Sequence, residues 1–374
     1  MKARKLCIHI GMPKTGTSAL QEVLYWNREK LAAHGYLYPD FGAAQHQHFP
    51  LVRSLAREVG SPAGFPPGGL ELPVVEFKQA VDRDVGLNDI HTVILSSEFF
   101  FDYAGLTPGR PEFPIEQAIP YLRGVALLLR DKFQEYDASV AVWLRRQDHW
   151  LMSMYNNAVK VANYTQDFEV FFKNQVAPWY GRILDQWADA FGLENIKVFI
   201  YEKSSEDADV IPQFLRLIGF PEAVELDRPR RHPREGNVGL SRELLVIKRE
   251  INRAIPDHMP GLRHSIEDLF FRLARKERET GKESSPIISP QRQLEILAQF
   301  SSENEHVLQK FLRSSRSSLF TDPGSPSASR EWSASEPITG ETLLHVLLPL
   351  TFSLARRIKA LEARLKTESK LDTG

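Results

Sequence analysis

A glycine-rich segment near the start of the sequence has the residue types and spacing of a phosphate-binding loop. IHIGMPKTGTSAL contains Gly11, four further residues and then Gly16. Such a loop presents backbone N–H groups and a helix N-terminus to an anion. A loop for a nucleoside triphosphate has a lysine directly after the second glycine, but here Thr17 and Ser18 follow it and Lys14 lies inside the loop. These residues predict a site for a single phosphate that carries a group to be transferred, without a metal ion.

The loop is expected to lie in an α/β fold, because strand and helix patterns alternate along the chain. Four short apolar runs are typical of buried strands, at 5–10, 91–96, 139–144 and 195–201. Helical patterns follow or separate these runs, at 17–34, 74–86, 115–135, 148–163, 178–191 and 207–218. Strands that alternate with helices favour a parallel β-sheet flanked by helices on both faces.

The predicted domains follow from the change in pattern after the last strand. Residues 1–255 form the α/β domain, and 256–315 form a helical extension. Residues 316–340 are rich in Ser, Pro and Gly, which is typical of a linker. The last predicted helix, 341–374, has leucines seven residues apart. It is expected to dock on its own domain, with a homo-oligomeric coiled coil or a basic amphipathic surface helix as the alternatives.

The overall charge excludes a protein-wide attraction to nucleic acid. The 374 residues have a formal net charge of -1, so no nucleic-acid partner is expected.

Cys7 is the single cysteine, which excludes an intrachain disulfide and a cysteine metal cluster. No apolar stretch of about 18 residues occurs, and the apolar run after MKARK is too short for a signal peptide. We therefore expect a cytoplasmic protein without a transmembrane segment.

Two longer segments and the glycine-rich loop together resemble one enzyme family. PKTGTS after a short strand resembles the 5′-phosphosulfate loop of the sulfotransferases that use 3′-phosphoadenosine 5′-phosphosulfate (PAPS). WLRRQDHWLMSMYNNAVK (143–160) resembles their 3′-phosphate-binding segment, in which an arginine at a strand end precedes a serine by eight residues. The segment 183–221 resembles their later helix, strand, YE, helix and LG run. Over 5–255 the sequence is similar to the bacterial sulfotransferases that begin HIGxPKTGT.

The resemblance implies a P-loop-type fold, PAPS as the co-substrate and no metal. The residues that would hold the 5′-phosphosulfate are Pro13, Lys14, Thr15, Gly16, Thr17 and Ser18. Lys14 would neutralise the charge that develops on the leaving phosphate oxygen. Transfer of a sulfuryl group resembles phosphoryl transfer, in which catalysis is mostly positioning and electrostatic stabilisation.

The resemblance also implies residues for the 3′-phosphate. Arg145 and Ser153 match the family's arginine and serine, and an arginine offers a planar fork of donors to a phosphate. Arg146 is the competing arginine. Arg231 lies in the basic run 227–241, where family members have a late basic loop over the donor. The alternatives for this run are a solvated loop and a contact to an acidic acceptor.

The acceptor needs a base, and the resemblance places it at the end of the strand in HTVILSSEFF. Glu98 occupies that position beside three phenylalanines, so desolvation is expected to raise the pKa of its carboxyl group. His46 and His48, in AAQHQHFP, are the competing bases. Two histidines two residues apart on a helix do not face the same side, so no metal site is expected there.

The predicted reaction is transfer of a sulfuryl group from PAPS to a hydroxyl of an acceptor, expected to be a carbohydrate or glycolipid. A P-loop kinase or NTPase is the first alternative. It would need a lysine after Gly16 and a strand-end aspartate for magnesium, where the sequence has Ser96 and Ser97. A binding protein that kept the fold without the chemistry is the second alternative. The sequence does not identify the acceptor.

Overall fold

The structure is a computed structural model of the chain. It describes residues 4–41, 46–61, 72–87, 89–101, 115–202, 209–228, 239–255, 260–281, 287–313 and 316–320, with the single positions 343, 347 and 351. Most of the predicted linker and of the last predicted helix lies outside these residues, so the coiled-coil hypothesis stays a prediction. Among the described residues, no helix has the length and apolar character needed to cross a membrane.

A five-stranded, fully parallel sheet forms the centre of the fold. Its strands are β1 (Lys5–Gly11), β2 (Tyr36–Leu37), β3 (Thr92–Ser96), β4 (Asp137–Arg145) and β5 (Ile196–Tyr201), and their order across the sheet is β2-β3-β1-β4-β5. Every residue of β3, and of β1 after Lys5, is buried, because helices cover both faces. The predicted α/β fold with a parallel sheet is confirmed. The two-residue strand β2 was not predicted, since it is too short to carry a period.

Helices connect the strands and continue after the last one. They are α1 (Thr17–Trp26), α2 (Arg28–Ala33), α3 (Phe49–Glu58), α4 (Val74–Leu87), α5 (Ile115–Lys132), α6 (Gln147–Val161), α7 (Phe168–Lys173), α8 (Tyr180–Phe191), α9 (Val210–Ile218), α10 (Arg242–Ala254), α11 (Pro260–Glu279), α12 (Pro290–Gln299) and α13 (Ser301–Val307). Short 3₁₀ turns cover Glu98–Phe100 and Leu193–Asn195, and a π-helical turn, Leu308–Leu312, follows α13. The helical extension after the sheet is as predicted.

The predicted single helix over 17–34 is in fact two helices that meet at Asn27. Its buried carboxamide donates to the carbonyl oxygen of Val23 at 2.7 Å and to that of Asp227 at 2.9 Å. The backbone N–H of Asp227 donates back to the Asn27 carboxamide oxygen at 2.9 Å. An asparagine that bonds a distant backbone segment favours a break in the helix.

The chain divides into two compact units. The sheet unit comprises Met1–Leu151, Glu169–Arg230 and Gln293–Ser325, and it contains all five strands. The helical unit comprises Met152–Phe168, Arg231–Arg292 and Pro326–Gly374.

One face of the sheet unit packs α1 and α9 against β1 and β4. Its buried cluster includes Leu20 and Leu24 from α1, Phe214 from α9 and Trp143 from β4. Cys7 belongs to the same cluster, and burial raises the pKa of its thiol to about 12. The thiol is therefore protonated and unreactive at neutral pH, as the sequence indicated.

Buried amides organise the helical unit. The Asn156 carboxamide exchanges hydrogen bonds with the backbone of Leu240, at 2.8 and 3.0 Å. Ser241 then begins α10, because its hydroxyl accepts a hydrogen bond from the Leu244 N–H at 3.2 Å. Within α10, the Asn252 carboxamide donates to the carbonyl oxygens of two residues of the unit, Val159 at 2.8 Å and Tyr164 at 3.1 Å. These bonds fix the start and the last turn of α10.

Candidate active site

Three loops of the sheet unit meet because their strands are neighbours. β1 pairs with β3 on one side and with β4 on the other, and all three run in the same direction. The segments that follow their carboxyl ends therefore emerge at one edge of the sheet, where α/β proteins bind ligands. Lys14 and Glu98 lie on the segments that follow β1 and β3, and Arg145 is the last residue of β4.

The loop between β1 and α1 has the backbone of an anion-binding turn. Lys14 and Gly16 have positive φ angles, 67° and 89°, and Gly16 is the N-cap residue of α1. The Thr15 hydroxyl donates to the carbonyl oxygen of Met12 at 2.7 Å. Gly16 and Ser18 are exposed, so an anion can approach the first turn of α1. Phosphate binding by this loop stays a prediction.

Two side chains of the sheet unit hold this loop from outside. The Trp150 indole N–H donates to the carbonyl oxygen of Pro13 at 3.0 Å. The Arg145 guanidinium donates to the carbonyl oxygen of Lys14 at 3.1 Å. The Arg145 carbonyl in turn accepts a hydrogen bond from the buried Tyr180 hydroxyl at 2.5 Å. The structure thus brings the Arg145 side chain against the backbone of the loop at Lys14.

The two neighbouring arginines have different surroundings. Arg146 is buried and donates to both carboxylate oxygens of Asp148, at 2.8 Å each. Its Nη2 also lies 2.8 Å from His149 Nε2. Arg145 has no carboxylate partner at bonding distance among the described residues, and burial lowers its pKa. An incoming anion would therefore have to displace Asp148 at Arg146 but not at Arg145.

Glu98 lies in the 3₁₀ turn directly after β3. Ser97 begins this turn, since its hydroxyl accepts from the Phe99 N–H at 3.3 Å. The partly buried Glu98 carboxylate accepts a hydrogen bond from the Thr17 hydroxyl at the start of α1. Burial raises the pKa of Glu98, while the Thr17 hydrogen bond and the positive charge of Lys14 act in the opposite direction. The structure therefore brings the predicted base next to the loop between β1 and α1.

Both ring nitrogens of His48 are engaged in structural hydrogen bonds. Nδ1 accepts from the Ser96 N–H at 2.8 Å, so Nε2 carries the proton and donates to the Pro39 carbonyl oxygen at 2.8 Å. Burial lowers the pKa of His48 to about 4. His48 is therefore neutral and connects Ser96 of β3 to Pro39. The lone pair of Nδ1, which a base would need, already accepts the hydrogen bond from Ser96.

His46 is held by stacking and by its backbone. Its φ angle is 58°, and its carbonyl oxygen accepts from the Tyr38 hydroxyl at 2.7 Å. Its ring stacks on Tyr25 with 4.1 Å between centroids. Its buried Nδ1 has no hydrogen-bond partner in the part of the chain that the structure describes. His46 thus differs from His48 in keeping one ring nitrogen without a hydrogen bond to any described residue.

A polar group beneath the loop was not singled out from the sequence. His9, on β1, is fully buried, and its Nδ1 lies 2.8 Å from the Ser96 hydroxyl. The Gln21 carboxamide donates to the same hydroxyl at 3.2 Å. Burial lowers the pKa of His9 to about 3, so the ring is neutral. These residues join β1, β3 and α1, and the histidine within the apolar run IHIG was the only signal for them.

No described contact places two of the predicted site residues, Ser153 and Arg231, at this edge of the sheet. Ser153 lies on α6, in the helical unit, and is partly buried. Arg231, with the whole run 229–238, lies outside the described residues. Their assigned roles stay predictions. Among the described residues, no group of three or more His, Cys, Asp or Glu side chains is arranged to hold a metal ion.

The similarity of this chain to known proteins is low in both sequence and structure. No family model matches the sequence. An uncharacterized protein of Archaeoglobus fulgidus is 28% identical over 175 residues, which is 46% of this chain and 46% of that protein. The match thus spans less than half the length of this relative. The crystal structure of a sulfotransferase from Alicyclobacillus acidocaldarius has a TM-score of 0.40 and 17% identity, and the match covers 70% of this chain and 96% of that one. Likeness at this level assigns no function.

The neutral state of His48 predicts a loss of stability in acid. The unfolded chain binds a proton near the ordinary pKa of 6.5, whereas the folded chain does so only near pH 4. Stability present above pH 6.5 is therefore lost as the pH falls towards 4, by about 1.4 kcal/mol per pH unit at most from this residue. Urea unfolding of His48→Gln between pH 7 and 4 should show a smaller slope than the wild type. His264→Gln, at an exposed position, should keep the wild-type slope; equal slopes for all three proteins would contradict a neutral His48.

The contact between Gly11 and Glu98 predicts a cost for any side chain at Gly11. A Cβ atom there would lie 3.1 Å from Glu98 Cα, and the φ angle of Gly11 is 117°. Gly60 is the matched control, because its φ is also positive, 70°, but no described atom lies within 4 Å of its Cβ position. Each positive φ is expected to cost Ala about 1–3 kcal/mol, and the clash adds to it for Gly11→Ala. Urea unfolding that gives the same loss for both variants would contradict this close approach.

Proposed function

We propose that the protein is a sulfotransferase that moves the sulfuryl group of PAPS to a hydroxyl of an acceptor. The observation that carries the proposal is the meeting of Lys14, Glu98 and Arg145 at the carboxyl ends of three adjacent strands. A lysine in an anion-binding loop, a carboxylate and an arginine are the groups that this transfer needs. The motif resemblance in the sequence supplies the identity of the donor.

In the proposed reaction, the acceptor oxygen attacks sulfur and the bond between sulfur and the 5′-phosphate oxygen breaks. The electron pair of that bond leaves with the phosphate, so negative charge grows on its oxygen. Lys14 and the backbone N–H groups at the start of α1 are assigned to this charge, since preorganised donors stabilise a developing anion without reorganisation. The acceptor proton passes to Glu98.

Glu98 is the proposed base because its surroundings balance two opposing effects. Burial favours the protonated carboxyl group, while Lys14 and the Thr17 hydroxyl favour the carboxylate. A base must be ionised before transfer and must then keep the proton, and this balance serves both needs. His48 is less suited, since both of its nitrogens are engaged. His46 is the remaining alternative.

Arg145 is the proposed partner of the 3′-phosphate, with Ser153 and Arg231 added on sequence resemblance alone. The hydrogen bond from the Arg145 guanidinium to the Lys14 carbonyl oxygen supports a position of Arg145 beside the bound donor. Arg146 is disfavoured by its paired bonds to Asp148. The acceptor class, a carbohydrate or glycolipid, also rests on resemblance. Tyr180 is fully buried and donates to the Arg145 carbonyl oxygen, so it presents no ring surface to a sugar.

A magnesium-dependent kinase or NTPase is the second candidate, and one contact favours it. Glu98 follows β3, the strand beside β1, and its carboxylate accepts a hydrogen bond from the Thr17 hydroxyl at the loop. In enzymes that use a nucleoside triphosphate with magnesium, a carboxylate and a hydroxyl at the loop hold the metal ion. The residue after Gly16 opposes this function, because Thr17 replaces the lysine that would reach the β- and γ-phosphates. Dependence of turnover on magnesium separates the two candidates.

The proposal predicts that Lys14→Ala removes most of the turnover. Transfer of ³⁵S from labelled PAPS to a panel of hydroxyl acceptors in EDTA measures it. Loss of the charge that stabilises the leaving oxygen should lower kcat about 100-fold or more. Lys30→Ala is the matched control, since it removes the same charge from an exposed ion pair with Asp227. Near-normal kcat for Lys14→Ala would contradict the role of Lys14, and wild-type turnover of ATP only with magnesium would favour the second candidate.

A further inference from the structure

The Thr17 hydroxyl is committed to Glu98 rather than turned towards the loop. Thr17 is the first residue of α1 and is buried, and its hydroxyl donates to Glu98 Oε2. The Glu98 backbone is held at the loop by its approach to Gly11, where a Cβ atom would lie 3.1 Å from Glu98 Cα. The hydroxyl and the carboxylate are thus fixed from both sides.

A count of protons limits what Thr17 can do. A hydroxyl has one proton and donates one hydrogen bond. A carboxylate and a phosphate dianion only accept, so Thr17 cannot donate to Glu98 and to a bound phosphate at once. Lys14, Ser18 and the backbone N–H groups at the start of α1 are the other donors at the loop. Ser18 is exposed, and among the described residues it is the Thr17 hydroxyl, not that of Ser18, that bonds Glu98.

We propose that Thr17 is a positioning residue that holds the Glu98 carboxylate for the acceptor, and that the 5′-phosphate is bound by the other donors of the loop. The inference rests on the proposed function and deepens it. It departs from the sequence expectation, in which Thr17 held the 5′-phosphate.

The bond gives Glu98 a direction and a charge state. Oε2 accepts the Thr17 hydrogen bond, which fixes the orientation of the carboxylate, and Oε1 is the oxygen assigned to receive the proton of the acceptor hydroxyl as the bond between the acceptor oxygen and sulfur forms. A hydrogen bond to the ionised carboxylate favours that form over the protonated one. Burial alone would leave Glu98 protonated over a wider pH range and so idle as a base.

The test measures the ionisation of Glu98 without turnover. ¹³C NMR of glutamate-labelled protein, with the Glu98 signal assigned by its loss in Glu98→Gln, follows the carboxyl group through a pH titration. Thr17→Val should raise the pKa of Glu98 by about one to two pH units, because a charge-assisted bond is lost. Thr17→Ser, which keeps the hydroxyl, should restore the wild-type value. Thr17→Ala replaces Thr17→Val if the latter does not fold.

Two further measurements on the same variants decide between a base-positioning and a phosphate-binding role. Thr17→Val should bind adenosine 3′,5′-bisphosphate within about threefold of the wild type, and the acid limb of its kcat/KM profile should move to higher pH with the pKa of Glu98. An unchanged pKa of Glu98, or an affinity for the bisphosphate reduced more than about tenfold, would overturn the inference. If wild-type protein transfers no sulfuryl group while the pKa shift is found, the proposed function fails and the Thr17–Glu98 coupling stands.

Discussion

The parallel hydrogen-bonded pairing of β1 with β3 and β4 is the constraint on which the candidate site depends. It sends three chain segments, far apart in sequence, to one edge of the sheet. Gly11 then allows the segment after β3 to approach the loop after β1 closely, and Arg145 ties the end of β4 to the same loop. The geometry of the site is therefore set by strand pairing and by a few backbone contacts.

The electrostatics of the site follow from where charges are buried and where they are compensated. Burial keeps the rings of His9 and His48 neutral, so His9 is an uncharged link between β1 and β3, and His48 is an uncharged link between β3 and Pro39. Arg146 is neutralised by Asp148 within the protein. Lys14, Glu98 and Arg145 are ionisable residues at the carboxyl ends of β1, β3 and β4. This division separates neutral, hydrogen-bonded side chains from the ionisable side chains at the edge of the sheet.

The sequence predicted the parallel sheet and the loop after β1 because each produces a local pattern of residue types. Apolar runs marked β1, β3, β4 and β5, and the glycine spacing marked the loop. What it missed depends on contacts between distant residues. The break at Asn27 requires Asp227, 200 positions away, and the engagement of His48 requires Ser96. The sequence also left open whether Arg145 or Arg146 is engaged by a carboxylate, because the two arginines are adjacent at the end of β4.

The central claim is that this edge of the sheet binds a donor with a 3′-phosphate and needs no metal. Calorimetry of the wild-type protein with adenosine 3′,5′-bisphosphate in EDTA, against ADP and AMP, tests it most directly. We expect micromolar binding of the bisphosphate and at least about tenfold weaker binding of ADP and AMP, because only the bisphosphate carries the 3′-phosphate assigned to Arg145. Preference for ADP or ATP, gained only on addition of magnesium, would contradict the claim and assign the loop to a nucleoside triphosphate.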